Sequence, residues 1–192
     1  VLEKACHFMN RLYDAGYPDL HIAVNVSTRQ VSQADFVGTV SSVLHRTGLL
    51  SELLELEITE TVLMESFEQN MEKLHGLREF GVALALDDFG TGYSSLTYLK
   101  DLPITKVKID KSFVDDIVSS SDKAAILGAI VQLSHSLGLT VVAEGVEEES
   151  QQKKLFNQEC DFMQGFLFGR PVTEAETVNL LASRMQNKKM TQ

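Results

Sequence analysis

Apolar and polar positions alternate in short runs along this chain, and the runs change period as they go. Period-two segments predict strands at HIAVNVS (21–27), LLELEIT (53–59), VALALDDF (82–89), KVKID (106–110), TVVAEGV (140–146) and DFMQGFLF (161–168). Helical periodicity predicts helices over Leu2–Ala15, Gln33–His45, Phe67–Phe80, Lys123–Leu137, Ser150–Asn157 and Glu174–Met185. In the segment from Lys123, the residues Ile126, Leu127, Ile130, Val131, Leu133 and Leu137 form a wide apolar stripe that Gly138 ends. Strand and helix alternating throughout predict an α/β protein with a largely parallel sheet. Six strand–helix units follow an opening helix. A (β/α)8 barrel needs eight, so the count fits a barrel whose first strands lie upstream of Val1. An open doubly wound sheet of six strands is the rival.

The strand ends favour the barrel. Each strand carries a polar or acidic residue near its C-terminal end: Asn25, Glu57, Asp87 with Asp88, Asp110, Glu144 and Gln164. Barrel enzymes build their active sites at that end, from several strands at once. Parity sharpens the pattern. Glu55 and Glu57 share one face of their strand, Lys106, Lys108 and Asp110 one face of theirs, and the small Ala83 and Ala85 share a face with Asp87. The larger apolar face, with Leu54, Leu56, Ile58, Val82, Leu84 and Leu86, is left for the helices.

Several carboxylates and an amide converging on one mouth require cations to remain ionised together. An all-oxygen donor set favours Mg2+ or Mn2+ over zinc. Neighbours on a regular strand point oppositely, but where a strand ends the chain turns, and both Asp87 and Asp88 can then reach one centre. Such a pair suits two ions about 4 Å apart, the arrangement that cleaves phosphate esters. A lone Asp-Asp at a strand end is more often a turn or cap; the company of Asn25, Glu57 and Glu144 favours the site. Lys108 within that ring can orient or deprotonate a water, or offset developing charge; an exposed ion pair with Asp110 is its plain alternative. Glu60 can reach a metal or hold the glycine-rich loop that follows Asp88, with the second favoured. That loop, with Gly90 and Gly92 as hinges and Tyr93, Ser94 and Ser95 opening the next helix, suits a mobile lid.

Composition narrows the rest. The chain has 192 residues, 44% hydrophobic and 23% charged, which fits a single globular domain. No apolar run spans a bilayer and no leader opens the chain. Cys6 and Cys160 read as reduced, buried thiols of an intracellular protein, placed in the cytoplasm. A net charge of −10 argues against a DNA surface. The five histidines lack metal spacing, and no nucleophile motif occurs. The triplet DFG lacks the other kinase motifs.

Six motifs in order, NVSTRQ (25–30), LEITE (56–60), DDFGTGYSSL (87–96), KIDKSFV (108–114), VVAEGVE (141–147) and QGFLFGRP (164–171), resemble the EAL-domain family over essentially the whole chain. The resemblance implies a modified TIM (β/α)8 barrel and a bacterial phosphodiesterase that linearises cyclic di-GMP to pGpG. It implies that Asn25, Glu57, Asp87, Asp88 and Glu144 are metal ligands for two Mg2+ or Mn2+ ions, and that Lys108 and Asp110 lie near the attacking water, which Glu144 also helps hold. It implies that Gln164 contacts substrate, Glu60 anchors the glycine-rich loop and Glu147 supports the site. It further implies cyclic di-GMP as ligand, a homodimer through the loop and helix after Asp88, and an upstream sensor or GGDEF domain able to tether the protein to a membrane. The Glu-Ala-Leu triplet that names the family is absent from the chain. Residues 1–187 are therefore expected to be the C-terminal portion of the domain, with its N-terminal strands missing and 188–192 a tail. Such a piece alone is expected to be weak or inactive. The alternative is a catalytically silent domain that binds cyclic di-GMP and regulates a partner.

Overall fold

The computed structural model describes residues 1–64, 67–90 and 99–190. Six strands form one sheet in chain order: β1 (Ile22–Val26), β2 (Leu54–Thr59), β3 (Ala83–Phe89), β4 (Lys106–Ile109), β5 (Thr140–Ala143) and β6 (Phe162–Met163). Every neighbouring pair is parallel. The helices are α1 (Leu2–Asp14), α2 (Thr28–Val31), α3 (Phe36–Thr47), α4 (Glu60–Met64), α5 (Phe67–Glu79), α6 (Lys111–Val114), α7 (Ser121–Ser136), α8 (Glu149–Asn157) and α9 (Glu174–Met190). Strand order equal to chain order is what a barrel wall requires. A doubly wound sheet would reverse its order at a switch point, so that rival is excluded.

The core lies between one sheet face and the helices. Leu54, Leu56, Leu84 and Val107 are fully buried against Met9 of α1, Val40 of α3, and Leu74 and Leu77 of α5. A second cluster joins Ile109, Val141 and Ala143 to Leu127 and Val131 of α7 and Leu155 of α8. These are the positions that period two assigns to the helix-facing side. The opposite face therefore keeps Ala23, Asn25, Glu55, Glu57, Ala83, Ala85, Lys106 and Lys108.

Two expected elements differ. The helix predicted over 33–45 forms as α3, starting three residues later and running on to a left-handed Gly48, and it is preceded by the short, unpredicted α2, where Gln30 accepts from the Ser27 backbone N–H at 3.1 Å. The strand expected over 161–168 keeps two residues only. Beyond Met163 the chain pairs with the loop after β5 instead. Val146 N–H donates to Gln164 O at 3.0 Å, and Leu167 N–H to Val146 O at 3.1 Å. Gly165 permits this approach, since a Cβ there would lie 2.1 Å from Val146 O.

Asp161, just before β6, accepts from the Val141 N–H at 2.8 Å and faces His135 Nε2 at 2.9 Å. Burial raises its pKa, but the bonds from His135 and Val141 outweigh it, so the carboxyl sits below its ordinary value of 3.8. A depressed acid contributes stability above the unfolded value, and that contribution is lost as pH falls through the folded one. Asp161→Asn is expected to flatten the stability loss below about pH 4, read by urea denaturation from pH 3 to 7. An unchanged acid limb would refute the assignment.

Candidate metal and catalytic site

The site begins with the alanines of β3. Register pairs Ala83 with Glu55 and Ala85 with both Glu57 and Lys106, so small side chains lie between an acidic strand and a basic one. Charges can therefore meet across β3. Lys106 Nζ reaches Glu55 at 2.6 Å, and one layer nearer the strand ends Lys108 Nζ reaches Glu57 at 2.8 Å. Lys108 also contacts Asp87 and Glu144, each at 2.9 Å. Its side chain is 6% exposed.

The neighbouring aspartates come together through a bulge in β3, which is a correction to the turn expected at the strand end. Leu86 pairs with Val107 and Phe89 with Ile109, so β3 carries one extra residue there. Asp88 takes up that residue with φ of 54°, a conformation seldom adopted outside glycine, asparagine and aspartate. The bulge resets parity: Leu84, Leu86 and Phe89 all enter the helix-side core, and both aspartates are left for the opposite face. Carboxylate oxygens of Asp87, Asp88 and Glu144 all lie within 4.8 Å of one another.

Electrostatics matches this crowding. Burial disfavours the charged Lys108, yet its hydrogen bonds to Glu144, Glu57 and Asp87 prevail, and its pKa is raised. Burial raises the pKa of Glu144, with Asp87 and Glu57 adding to it against Lys108. Burial, Asp87 and Asp110 raise that of Asp88. One ammonium among four carboxylates leaves the group anionic. Oxygen-only donors at this spacing fit a hard divalent cation.

The remaining sequence-predicted residues are arranged around this centre. Asn25 is the register partner of Glu57, on the exposed edge strand β1. Asp110 caps α6 through the Ser112 N–H at 3.0 Å; burial raises its pKa, but these hydrogen bonds overcome it and lower the value. Gln164 is exposed and joins β5 through its N–H to Ala143 O at 2.8 Å. Glu60 is buried in the first turn of α4. The loop segment 91–98, on which the lid, the loop anchoring and the dimer contact fall, lies outside the described residues.

Glu147 is not in the cluster; it pairs with Lys111 at 3.0 Å, and Lys111 also holds Asp115 at 2.7 Å. The Lys111 stem crosses Gly145, where a Cβ would come within 2.3 Å of it. Gln151 completes the clamp: it accepts from the Glu147 and Glu148 N–H groups at 2.8 and 3.0 Å and donates to Val114 O. Lys111 and Gln151 were missed by sequence reasoning. The S/T-x-x-Q-like cap signal E-x-x-Q at 148–151 would have found Gln151; no sequence signal marks Lys111.

An anionic cluster of carboxylates at the C-terminal ends of parallel strands is a group that could hold a divalent cation on a barrel wall. The family model "EAL domain" matches residues 1–171, and the chain belongs to that family. Bifunctional diguanylate cyclase/cyclic di-GMP phosphodiesterase MucR of Pseudomonas aeruginosa is 45% identical over 183 residues, which is 95% of this chain and 26% of MucR. Signaling protein YkoW of Bacillus subtilis is 43% identical, over 90% of this chain and 21% of YkoW. The chain thus spans about a quarter or less of these relatives. Among solved structures, the PaMucR phosphodiesterase–c-di-GMP complex superposes with a TM-score of 0.88 at 44% identity, covering 92% of this chain and 71% of that one. The manganese/cy-diGMP complex of Klebsiella pneumoniae BlrP1 does so with a TM-score of 0.81 at 35% identity, covering 90% and 43%. These neighbours make the fold that of a TIM-like barrel.

Proposed function

We propose that this chain supplies most of the catalytic wall of a phosphodiesterase that opens cyclic di-GMP to linear pGpG. The observation that carries the proposal is the bulge that turns Asp88 inward beside Asp87 and Glu144, with Lys108 at the centre of the group. Relatives named for this activity and solved complexes with the dinucleotide support it. Asn25, Glu57, Asp87, Asp88 and Glu144 hold two Mg2+ or Mn2+ ions. When bound, these ions supply charge neutralisation for the phosphodiester and an acidified water. A manganese complex of a neighbour agrees with that metal class.

The protein's own groups do the rest. Lys108, kept protonated by its three carboxylate partners, acts as a hydrogen-bond donor and positive charge rather than as a base. It orients the attacking water and offsets charge growing on the phosphate. Asp110, next to Asp88 and held ionised by the α6 N-terminus, accepts a hydrogen bond from that water. Gln164 fixes the substrate, Glu60 anchors the loop after Asp88, and Glu147 holds the Glu144 loop through Lys111.

We assign residues 1–187 to the domain and 188–192 to a tail. Among the described residues β1 and β6 each have one neighbour, so the 192 residues alone expose two edges and hydrolyse weakly or not at all. We place the protein in the cytoplasm, with a sensor or GGDEF partner domain in the full-length chain and a homodimer through the segment after Asp88. No described helix is long and apolar enough to cross a membrane.

Asp87→Ala with Asp88→Ala, made in the full-length protein, tests the proposal. The expected result is a folded protein whose pGpG release with Mn2+ falls by more than about 1000-fold. Retained hydrolysis would refute the metal role of these residues. Wild-type protein that binds cyclic di-GMP without hydrolysing it would make the chain a sensor.

A further inference from the structure

β4 ends between two neighbouring strand ends that each carry a carboxylate of the acidic cluster. Asp88 lies on β3, and Glu144 directly follows β5. Each has a left-handed glycine beside it in the chain: Gly90, with φ of 96°, two residues beyond Asp88, and Gly145, with φ of 70°, next to Glu144. Both glycines are covered by the same element, the short α6 that follows Asp110. A Cβ on Gly90 would lie 2.5 Å from the Phe113 ring, and one on Gly145 would overlap the Lys111 stem. Residues two apart on a helix are about 200° apart around it, so Lys111 and Phe113 leave α6 on opposite sides. The helix is itself anchored. Phe113 and Val114 join the core cluster around Ile109 and Val141, Asp110 caps the first turn through the Ser112 N–H at 3.0 Å, and Val114 O accepts from the buried Gln151.

We propose that α6 is a two-sided clamp: Phe113 against Gly90 and Lys111 against Gly145 are positioning contacts that set the spacing of Asp88 and Glu144 before any ion binds. Carboxylate oxygens of Asp87, Asp88 and Glu144 lie within 4.8 Å of one another, and like charges that close repel. The segments that carry them must be held from outside the cluster. A ring edge and an aliphatic stem can approach where a glycine offers no Cβ, and both belong to one helix. The ion pairs of Lys111 with Glu147 and Asp115 are half-exposed and add little; the stem does the holding. The clamp rests on the reading of Asp88 and Glu144 as metal ligands given above.

Alanine variants of the full-length protein test it, read by Mn2+ calorimetry alongside urea denaturation in EDTA. Phe113→Ala and Lys111→Ala are each expected to weaken Mn2+ binding about tenfold. Lys111→Met, which keeps the stem and loses the charge, is expected to stay within about threefold of wild type. The two contacts act in series on one distance. The double alanine variant should therefore fall little further than the weaker single one, rather than the roughly hundredfold of independent effects. A purely structural role would lower urea stability and leave the Mn2+ affinity of the folded protein unchanged. Where Phe113→Ala does not fold, Phe113→Leu keeps the core contact, removes the ring edge over Gly90 and is expected to weaken Mn2+ binding about threefold. The inference is overturned if the folded variants bind Mn2+ as wild type does, if Lys111→Met loses as much as Lys111→Ala, or if the double variant is additive. A wild type that binds Mn2+ and hydrolyses nothing, with the variants weakened in this pattern, would sink the phosphodiesterase reading and leave the clamp standing.

Discussion

Asp88→Gly is expected to give a protein more stable than wild type and nearly devoid of hydrolysis. Asp88 holds φ at 54°, which costs a residue with a Cβ about 1 kcal/mol, and glycine relieves it. Aspartate tolerates this region better than most residues, and glycine loosens the unfolded chain. The backbone gain alone is therefore small. Electrostatics adds to it. Burial, then Asp87 and Asp110, raise the Asp88 pKa, so its charged form is disfavoured in the fold. For an acid with a raised folded pKa, stability falls as pH climbs from the unfolded toward the folded value. The advantage of Asp88→Gly should therefore be full at pH 7 and shrink below the ordinary carboxylate value of 3.8. Hydrolysis should fall by more than about 100-fold, since one of three convergent carboxylates is gone. Asp88→Ala, which keeps the strained backbone with no charge, should lose as much activity and gain less stability. Urea denaturation with EDTA present, alongside pGpG release with Mn2+, checks both halves. A glycine variant less stable than the alanine one would overturn the account of strain.

That pairing of strain with a carboxylate is where the sequence was least legible. Period two correctly separates Leu84 and Leu86 from Ala83, Ala85 and Asp87, and places Glu57 and Lys108 on the face away from the helices. It assigns Asp88 to the wrong face. A bulge is one inserted residue, and no local pattern in LALDDF distinguishes it from a regular strand that ends. The consequence is legible only in hindsight: Phe89 joins the outer core, as Asp88 would have to in an unbroken strand. The strand at DFMQGFLF fails for a different reason. Its alternation is real, but Gly165 lies against the Val146 backbone, and that long-range contact wins over local pattern. The ion pairs across β3 were half visible. Shared parity puts the lysines and glutamates on like faces, while which strand neighbours which is set by topology. Once strand order follows chain order, the alanines of β3 make the Lys–Glu bridges the expected outcome.

Lys108→Met is expected to make folding depend on metal. In the native protein its ammonium contacts Glu57, Asp87 and Glu144 within 3 Å, and its side chain is 6% exposed. Removing one partner from a buried ionic group typically costs about 3–5 kcal/mol, because the carboxylates left behind repel one another without compensation. In EDTA, Lys108→Met should therefore denature at much lower urea than wild type. A divalent ion that binds the folded state supplies the missing positive charge. At Mn2+ a hundredfold above its dissociation constant, binding contributes about 2.7 kcal/mol, so most of the loss should return. The Mn2+-induced rise in Tm should accordingly be larger for Lys108→Met than for wild type, where the lysine and the ion compete for the same carboxylates. Activity should not return with stability. The refolded, metal-loaded variant still lacks the donor aimed at the water and the phosphate, and its kcat should remain about 100-fold or more below wild type. Lys108→Arg separates charge from geometry: it should keep stability in EDTA, while its planar guanidinium cannot reproduce three contacts from a single nitrogen, so kcat stays low. Equal stability of Lys108→Met and wild type in EDTA would show that the ammonium does not hold the cluster together. Recovery of full activity with Mn2+ would show that its only task is to balance charge.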